Sequence, residues 1–160
     1  MMRIQSAESP QLLRIIHELF LEYSESLRID LCFQGFAEEL ATLPGDYARP
    51  AGRLLLIFEE LEAAGCGALR RLDDEVCEMK RLYVRPAFRG KGAGRELIDV
   101  LIDSAREIGY QRMRLDTLPS MTSAIAIYRS LGFKAIAPYR VNPVPGASFL
   151  ELDLNARPAG

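Results

Sequence analysis

Cysteine is scarce in this 160-residue chain: Cys32, Cys66 and Cys77 are its only three, an odd number with no Cys-x-x-Cys pair. A disulfide framework or a thiolate metal site is not expected from them, and they read as small buried or half-buried residues. Histidine is rarer still. The single His17 falls between the apolar positions of a helical pattern, on its polar side, and reads as a solvated helix residue rather than a catalytic one. No apolar run approaches the roughly 20 residues that span a bilayer. Met1-Met2-Arg3-Ile4-Gln5 lacks the apolar core of a signal peptide, so the expected location is cytoplasmic. Lys and Arg number 20 against 22 Asp and Glu, a formal charge of −2. That leaves no global basic field for nucleic acid, nor a wide basic face interleaved with aromatics. There is no internal repeat and no low-complexity linker.

What remains is the composition of an ordinary globular domain, 49% hydrophobic and 26% charged, long enough to bury a real core. One domain is expected over residues 1–155, with 156–160 as a frayed tail. Ser9-Pro10 is a helix start, a capping hydroxyl followed by proline at the first helical position. Leu12, Ile15, Ile16, Leu19, Phe20, Tyr23 and Leu27 then recur at helical spacing. Phe36–Leu43 reads as a short second helix stopped by Pro44-Gly45. Strands are expected at Arg3–Ser6, Arg53–Glu60, Glu62–Leu72, Val76–Val84, Arg112–Thr117, Phe133–Ala137 and Ser148–Leu154. Helices are expected at Gly92–Gly109, with Gly109 as its C-terminal cap, and at Ser120–Leu131. The order is β-α-α-β-β-β-α-β-α-β-β. Hairpins mixed with one strand–loop–helix–strand unit imply an α/β fold with a mixed sheet and helices on both faces.

The most informative stretch is Met79–Leu97, MKRLYVRPAFRGKGAGREL. Arg85-Pro86 ends a strand, because proline has no N–H for the ladder and restricts the residue before it. Arg89-Gly90-Lys91-Gly92-Ala93-Gly94 follows and then a helix opens. The glycines leave backbone N–H groups bare, and the helix adds unpaired N–H groups and the positive end of its dipole. Such a turn is an anion site of the phosphate-binding kind. Arg89, Lys91 and Arg95 add positive charge to it, whereas Arg85 reads as solvated surface. A nucleoside-triphosphate loop would place its Lys after the last glycine, and a dinucleotide loop would need glycine where Arg95 stands, so both patterns fail.

Arg-x-x-Gly-x-Gly after a strand ending Tyr-Val-x-Pro resembles the acetyl-CoA signature of the GNAT superfamily of N-acetyltransferases. Ala124–Phe133, AIAIYRSLGF, resembles the superfamily's helix ending Tyr-x-x-Leu-Gly-Phe. The likeness covers nearly the whole chain and is most specific over Glu78–Phe133. It implies the acyl-CoA N-acyltransferase fold, acetyl-CoA as cosubstrate, no metal, an amine acceptor and pairing into a homodimer. It implies that the N–H groups of Arg89, Gly90, Lys91, Gly92, Ala93, Gly94 and Arg95 hold the CoA pyrophosphate. The strand at Leu82, Tyr83 and Val84 would pair with the pantetheine arm. Where many members carry Asn, seven residues before the Tyr, this chain has Met121; Thr122 or Ser123 are the possible polar substitutes.

Tyr128 is the implied general acid for the thiolate leaving group, a role worth about 10²–10⁴-fold. It could equally pack on the sheet or only orient the thioester. The amine must lose a proton before it attacks. Glu78 sits six residues before Val84, a spacing that puts both on one strand face, and some members place a glutamate base there. Its pKa is expected to be raised by partial burial, or else it forms a structural salt bridge with Lys80 or Arg81. Asp116 is the second candidate, and two converging acids would favour a cationic acceptor. Adjacent Cys77 points to the opposite face, which argues against an acyl-cysteine intermediate. The expected chemistry is direct transfer in a ternary complex, with an acetyl-CoA-binding module of the same fold as the alternative. Phe33, Phe36 and Tyr47 either line the acceptor pocket or belong to the core. The acceptor itself is not legible; small amines, amino acids, antibiotics, polyamines and proteins all fit.

Overall fold

The structure is a computed structural model and describes residues 2–27 and 35–155. Cys32 and Phe33 lie outside the described residues, as does the expected tail. Helix α1 runs Pro10–Leu27. Its first turn is closed as its residues dictate: the Leu12 N–H donates to Ser9 Oγ at 3.2 Å, and Pro10 fills a position that needs no N–H. Ile16, Leu19 and Phe20 of its apolar face are fully buried, and His17 is exposed. Helix α2 spans Phe36–Ala41.

Strands β1 (Met2–Ser6), β2 (Arg53–Glu59), β3 (Glu62–Arg71), β4 (Val76–Val84), β5 (Arg112–Thr117), β6 (Lys134–Ile136) and β7 (Ser148–Asp153) form one seven-stranded sheet ordered β1-β2-β3-β4-β5-β7-β6. β4 and β5 pair in parallel and the other described pairs are antiparallel. Helix α3, Ala93–Ile108, connects the parallel pair. It ends in a Schellman motif: Gly109 takes φ 108°, its N–H donates to the Arg106 carbonyl at 3.1 Å, and Tyr110 N–H donates to the Ala105 carbonyl at 3.1 Å. Leu97, Ile98 and Leu101 are 0% exposed, and burying each contributes roughly 1.5–3 kcal/mol. The exposed Arg95–Asp99 pair on the outer face adds only about 0.3–0.5 kcal/mol, so burial decides where α3 sits. Helix α4 is Thr122–Ser130. α3 and α4 cover one face of the sheet, with Leu55, Ile57, Leu69, Cys77, Met79, Met113 and Leu115 beneath them. α1 and α2 cover the other, over Leu54, Leu56, Cys66, Ala68 and Tyr83. Phe36 and Tyr47 belong to that second core, which settles the choice left open between core and pocket.

One irregularity corrects the sequence reading. Pairing passes from Cys66↔Tyr83 to Ala68↔Lys80, so Arg81 and Leu82 together face Gly67 alone. This is a β-bulge, and Arg81 takes a left-handed φ of 60° within it. The bulge reverses the alternation of β4. Before it, Cys77 and Met79 point under α3; after it, Leu82 and Val84 do. Glu78 and Val84 are therefore on opposite faces despite their even spacing. Cys77 does point away from Glu78, into the α3 core, where burial pushes its thiol up to about 12.

Candidate active site

The parallel β4–β5 ladder ends early. Its last register pair is Glu78↔Arg114, yet β4 continues to Val84 and β5 to Thr117. Where the strands part they leave a cleft of about 640 Å³, walled by Met79–Val84 on one side and Leu115–Thr117 on the other. At one end stand Arg89, Gly90, Gly92, Ala93, Gly94 and Arg95. Gly90 and Gly92 take φ of 82° and 85°, values only glycine adopts without strain, and Gly92 caps α3 with no side-chain hydrogen bond. The first-turn N–H groups of α3 thus have no side chain satisfying them. At the other end stand Thr122, Ser123 and Tyr128 of α4, with Tyr23, Ser26 and Leu27 of α1 closing the wall.

Eleven of the twelve residues expected to hold the cofactor therefore border one cavity: Leu82, Tyr83, Val84, Arg89, Gly90, Gly92, Ala93, Gly94, Arg95, Thr122 and Ser123. The twelfth, Lys91, does not. Its ammonium turns away to both carboxylate oxygens of Glu59, at 3.0 and 2.9 Å. Arg89 donates through Nε to the Val84 carbonyl at 3.0 Å, which ties the loop to the end of β4. Arg85 is not solvated surface; it pairs with Glu22 at 2.7 Å and donates to the Ala63 carbonyl at 3.0 Å. Met121 lines the cleft, with its sulfur accepting from Thr117 Oγ1 at 3.5 Å.

Tyr128 is 5% exposed and packs its ring against Phe133, with centroids 5.4 Å apart. Burial, and then the neighbouring Tyr23, raise its pKa above the usual phenol value, so it is protonated at neutral pH. Asp116 lines the cleft; Glu78 does not. Glu78 is fully buried, with Oε1 accepting from Arg70 Nε at 2.8 Å and Oε2 from Tyr139 OH at 2.6 Å. Arg140 joins the two acids: its Nη2 contacts Glu78 Oε2 and lies 3.5 Å from Asp116 Oδ1. Asn142 donates to Asp116 Oδ2 at 3.0 Å. Of the two salt-bridge partners expected for Glu78, Lys80 stands at 4.0 Å from Oε1, a long ion pair, whereas Arg81 forms a two-point pair with Glu39 at 2.8 and 2.9 Å.

Sequence reasoning assigns the stretch 139–148 to the acceptor pocket but does not single out Tyr139, Arg140 and Asn142, because the loop between β6 and β7 has no periodicity to announce which side chains turn inward. It also passed over Lys80 as anything but a salt-bridge partner. Lys80 lines the cleft with its side chain 4% exposed. Burial, and then the charges of Arg81 and Arg70, lower its pKa to about 7. Among the described residues no group of three or more His, Cys, Asp or Glu is placed to hold a metal, and no helix is long and apolar enough to cross a membrane.

A strand splay flanked by a glycine-lined helix mouth and a buried phenol suits an extended thioester with an anionic end. Comparison with known proteins agrees. Residues 13–133 match the Acetyltransferase (GNAT) family. An N-acetyltransferase of Schizosaccharomyces pombe, itself uncharacterised, is 37% identical over 154 residues, covering 95% of this chain and 94% of that protein. An acetyltransferase of the GNAT family from Staphylococcus aureus superposes with a TM-score of 0.79 at 21% identity, covering 97% and 100% of the two chains. A Salmonella typhimurium protein solved with its cofactor acetyl-CoA superposes at 0.68 and 24% identity, covering 99% and 96%. The chain belongs to the GNAT acetyltransferase family. It is an acetyl-CoA-dependent acetyltransferase.

Proposed function

We propose that the chain moves an acetyl group from acetyl-CoA to a primary amine by direct attack within a ternary complex. The observation that carries this reading is the continuity of the cleft from the Gly90–Gly94 mouth of α3 to Tyr128. The pyrophosphate sits at the bare N–H groups of that mouth, beside Arg89 and Arg95. The pantetheine arm follows the end of β4 past Leu82–Val84, with Thr122 or Ser123 meeting it in place of the usual Asn. Backbone N–H groups of the same strand stabilise the oxyanion. Tyr128, a phenol and so protonated at neutral pH, hands its proton to the leaving thiolate.

Asp116 is the base nearest the chemistry, since it is the acid that borders the cleft. Glu78 acts as a positioning residue, holding Tyr139 and Arg140 beside Asp116. Thiol release from acetyl-CoA across a panel of amines tests the proposal. Turnover with at least one amine is expected, and Tyr128→Phe should keep CoA affinity while turnover falls about 10²–10⁴-fold. CoA binding with no turnover on any amine would favour the binding module instead. Unchanged turnover in Tyr128→Phe would remove that residue from its role.

A further inference from the structure

We infer that Lys80 is a site of self-acetylation, an amine of the protein's own held inside the cleft to which its acetyl donor is delivered. The inference rests on the acetyl-transfer reading above. Three observations carry it. Lys80 lines the same cavity as Tyr128, Thr117 and the Leu82–Val84 segment. Its side chain is 4% exposed, so the amine belongs to the cleft and not to bulk water. Its surroundings carry charges of both signs. Arg70 of β3 and Arg81 of β4 oppose its charge, while Glu78 of β4 at 4.0 Å, Asp116 of β5 and Glu39 of α2 favour it. Arg140 of the β6–β7 loop lies across two of those acids and dilutes their effect.

Burial first, and then the charges of Arg81 and Arg70, leave the amine titrating at about 7. An ordinary lysine titrates near 10.4, so at pH 7 the neutral fraction here is roughly 10³-fold larger. The neutral Nζ lone pair attacks the acetyl carbonyl carbon and a C–N bond forms. The thioester C–S bond breaks, CoA leaves as the thiolate, and it takes up the proton that Nζ sheds. The products are one amide and one thiol, with no change of oxidation state. Acetylation removes the positive charge of Lys80 and leaves an acetyl group standing in the cleft, so each chain is modified once and then hindered.

The chain makes the test simple, because Lys80, Lys91 and Lys134 are its only lysines and the latter two are exposed. The full chain is incubated with acetyl-CoA and no acceptor, and acetylation is followed by intact mass and peptide mapping. CoA binding is measured on the same sample. One acetyl group is expected, on Lys80 ahead of Lys91 and Lys134. The rate should rise with pH and level off above about 7, since only the neutral amine reacts. Lys80→Arg should abolish the modification at that position and leave the other two lysines as they were. Denatured protein should lose the preference for Lys80. CoA binding with Lys80 unmodified, or modified no faster than the two exposed lysines, overturns this inference alone. Failure to bind CoA overturns it together with the proposed function.

Discussion

Arg140 shows how much one side chain decides here. Two acids, Glu78 and Asp116, stand on the strands that part at the cleft, and the guanidinium of Arg140 reaches both. Burial, and then the charge of Arg70, lower the Arg140 pKa to about 10, still well above neutrality, so it remains charged. Convergence of the two acids therefore does not by itself create an open seat for a cationic acceptor, because a resident cation occupies it. The two acids differ in reach: Glu78 is sealed by Arg70, Tyr139 and Arg140, while Asp116 keeps an edge on the cavity. Asp116→Asn keeps the shape and the Asn142 contact but removes the proton acceptor. Turnover should fall about 10²–10⁴-fold with CoA affinity retained. Wild-type turnover in that variant, measured under saturating acetyl-CoA, would assign the proton to water or to another group.

At the scale of the element, β4 is the strand on which the site depends. Its N-terminal half pairs with β5, its C-terminal half faces the cleft, and the bulge at Arg81 stands between. Gly65 of β3 accommodates the far end. A Cβ there would run into the Tyr83 carbonyl oxygen and come within 3.2 Å of Val84 Cα, and backbone atoms cannot rotate aside. Gly65→Ala should cost about 1–3 kcal/mol of stability and weaken CoA affinity, because the shifted segment lines the cleft. An unchanged melting temperature together with unchanged affinity would show that β4 absorbs the methyl group. The extents of β4 and β5 were legible from the chain alone, as were the caps Ser9 and Gly109, since each follows from neighbouring residues. The bulge was not legible. Arg81 holds a positive φ without being glycine or asparagine, so no residue type marks the position.

For the whole molecule, the question is what keeps the helical layers registered on the sheet. Hydrophobic burial supplies most of the energy on both faces, but Arg85 adds a specific tie. It grips both oxygens of Glu22 on α1 while bonding the Ala63 carbonyl on β3. The two side chains are 25% and 32% exposed, so solvent screens the pair. Glu22→Gln should lower stability by about 1 kcal/mol. Because Tyr23, Ser26 and Leu27 of the same helix wall the cleft, CoA affinity should fall with it. Thermal unfolding with and without CoA reads both effects. A loss of stability that leaves the CoA-induced shift intact would show that the wall does not depend on this tie.

The elements, their order and the glycine turn at the mouth of α3 were determined by the sequence itself, because periodicity, capping and φ preference act between residues a few positions apart. Most of the residues expected to hold the cofactor border one cleft for the same reason, since Arg89–Arg95 is one contiguous stretch. Tertiary structure alone decided which acid reaches the cleft, that Lys91 turns to Glu59, that Arg140 bridges Glu78 and Asp116, and that Lys80 is buried in the cleft wall. Those outcomes depend on strand register and on charges brought together from distant parts of the chain. A side chain's ionisation and facing are properties of its neighbours in space, which local spacing does not encode.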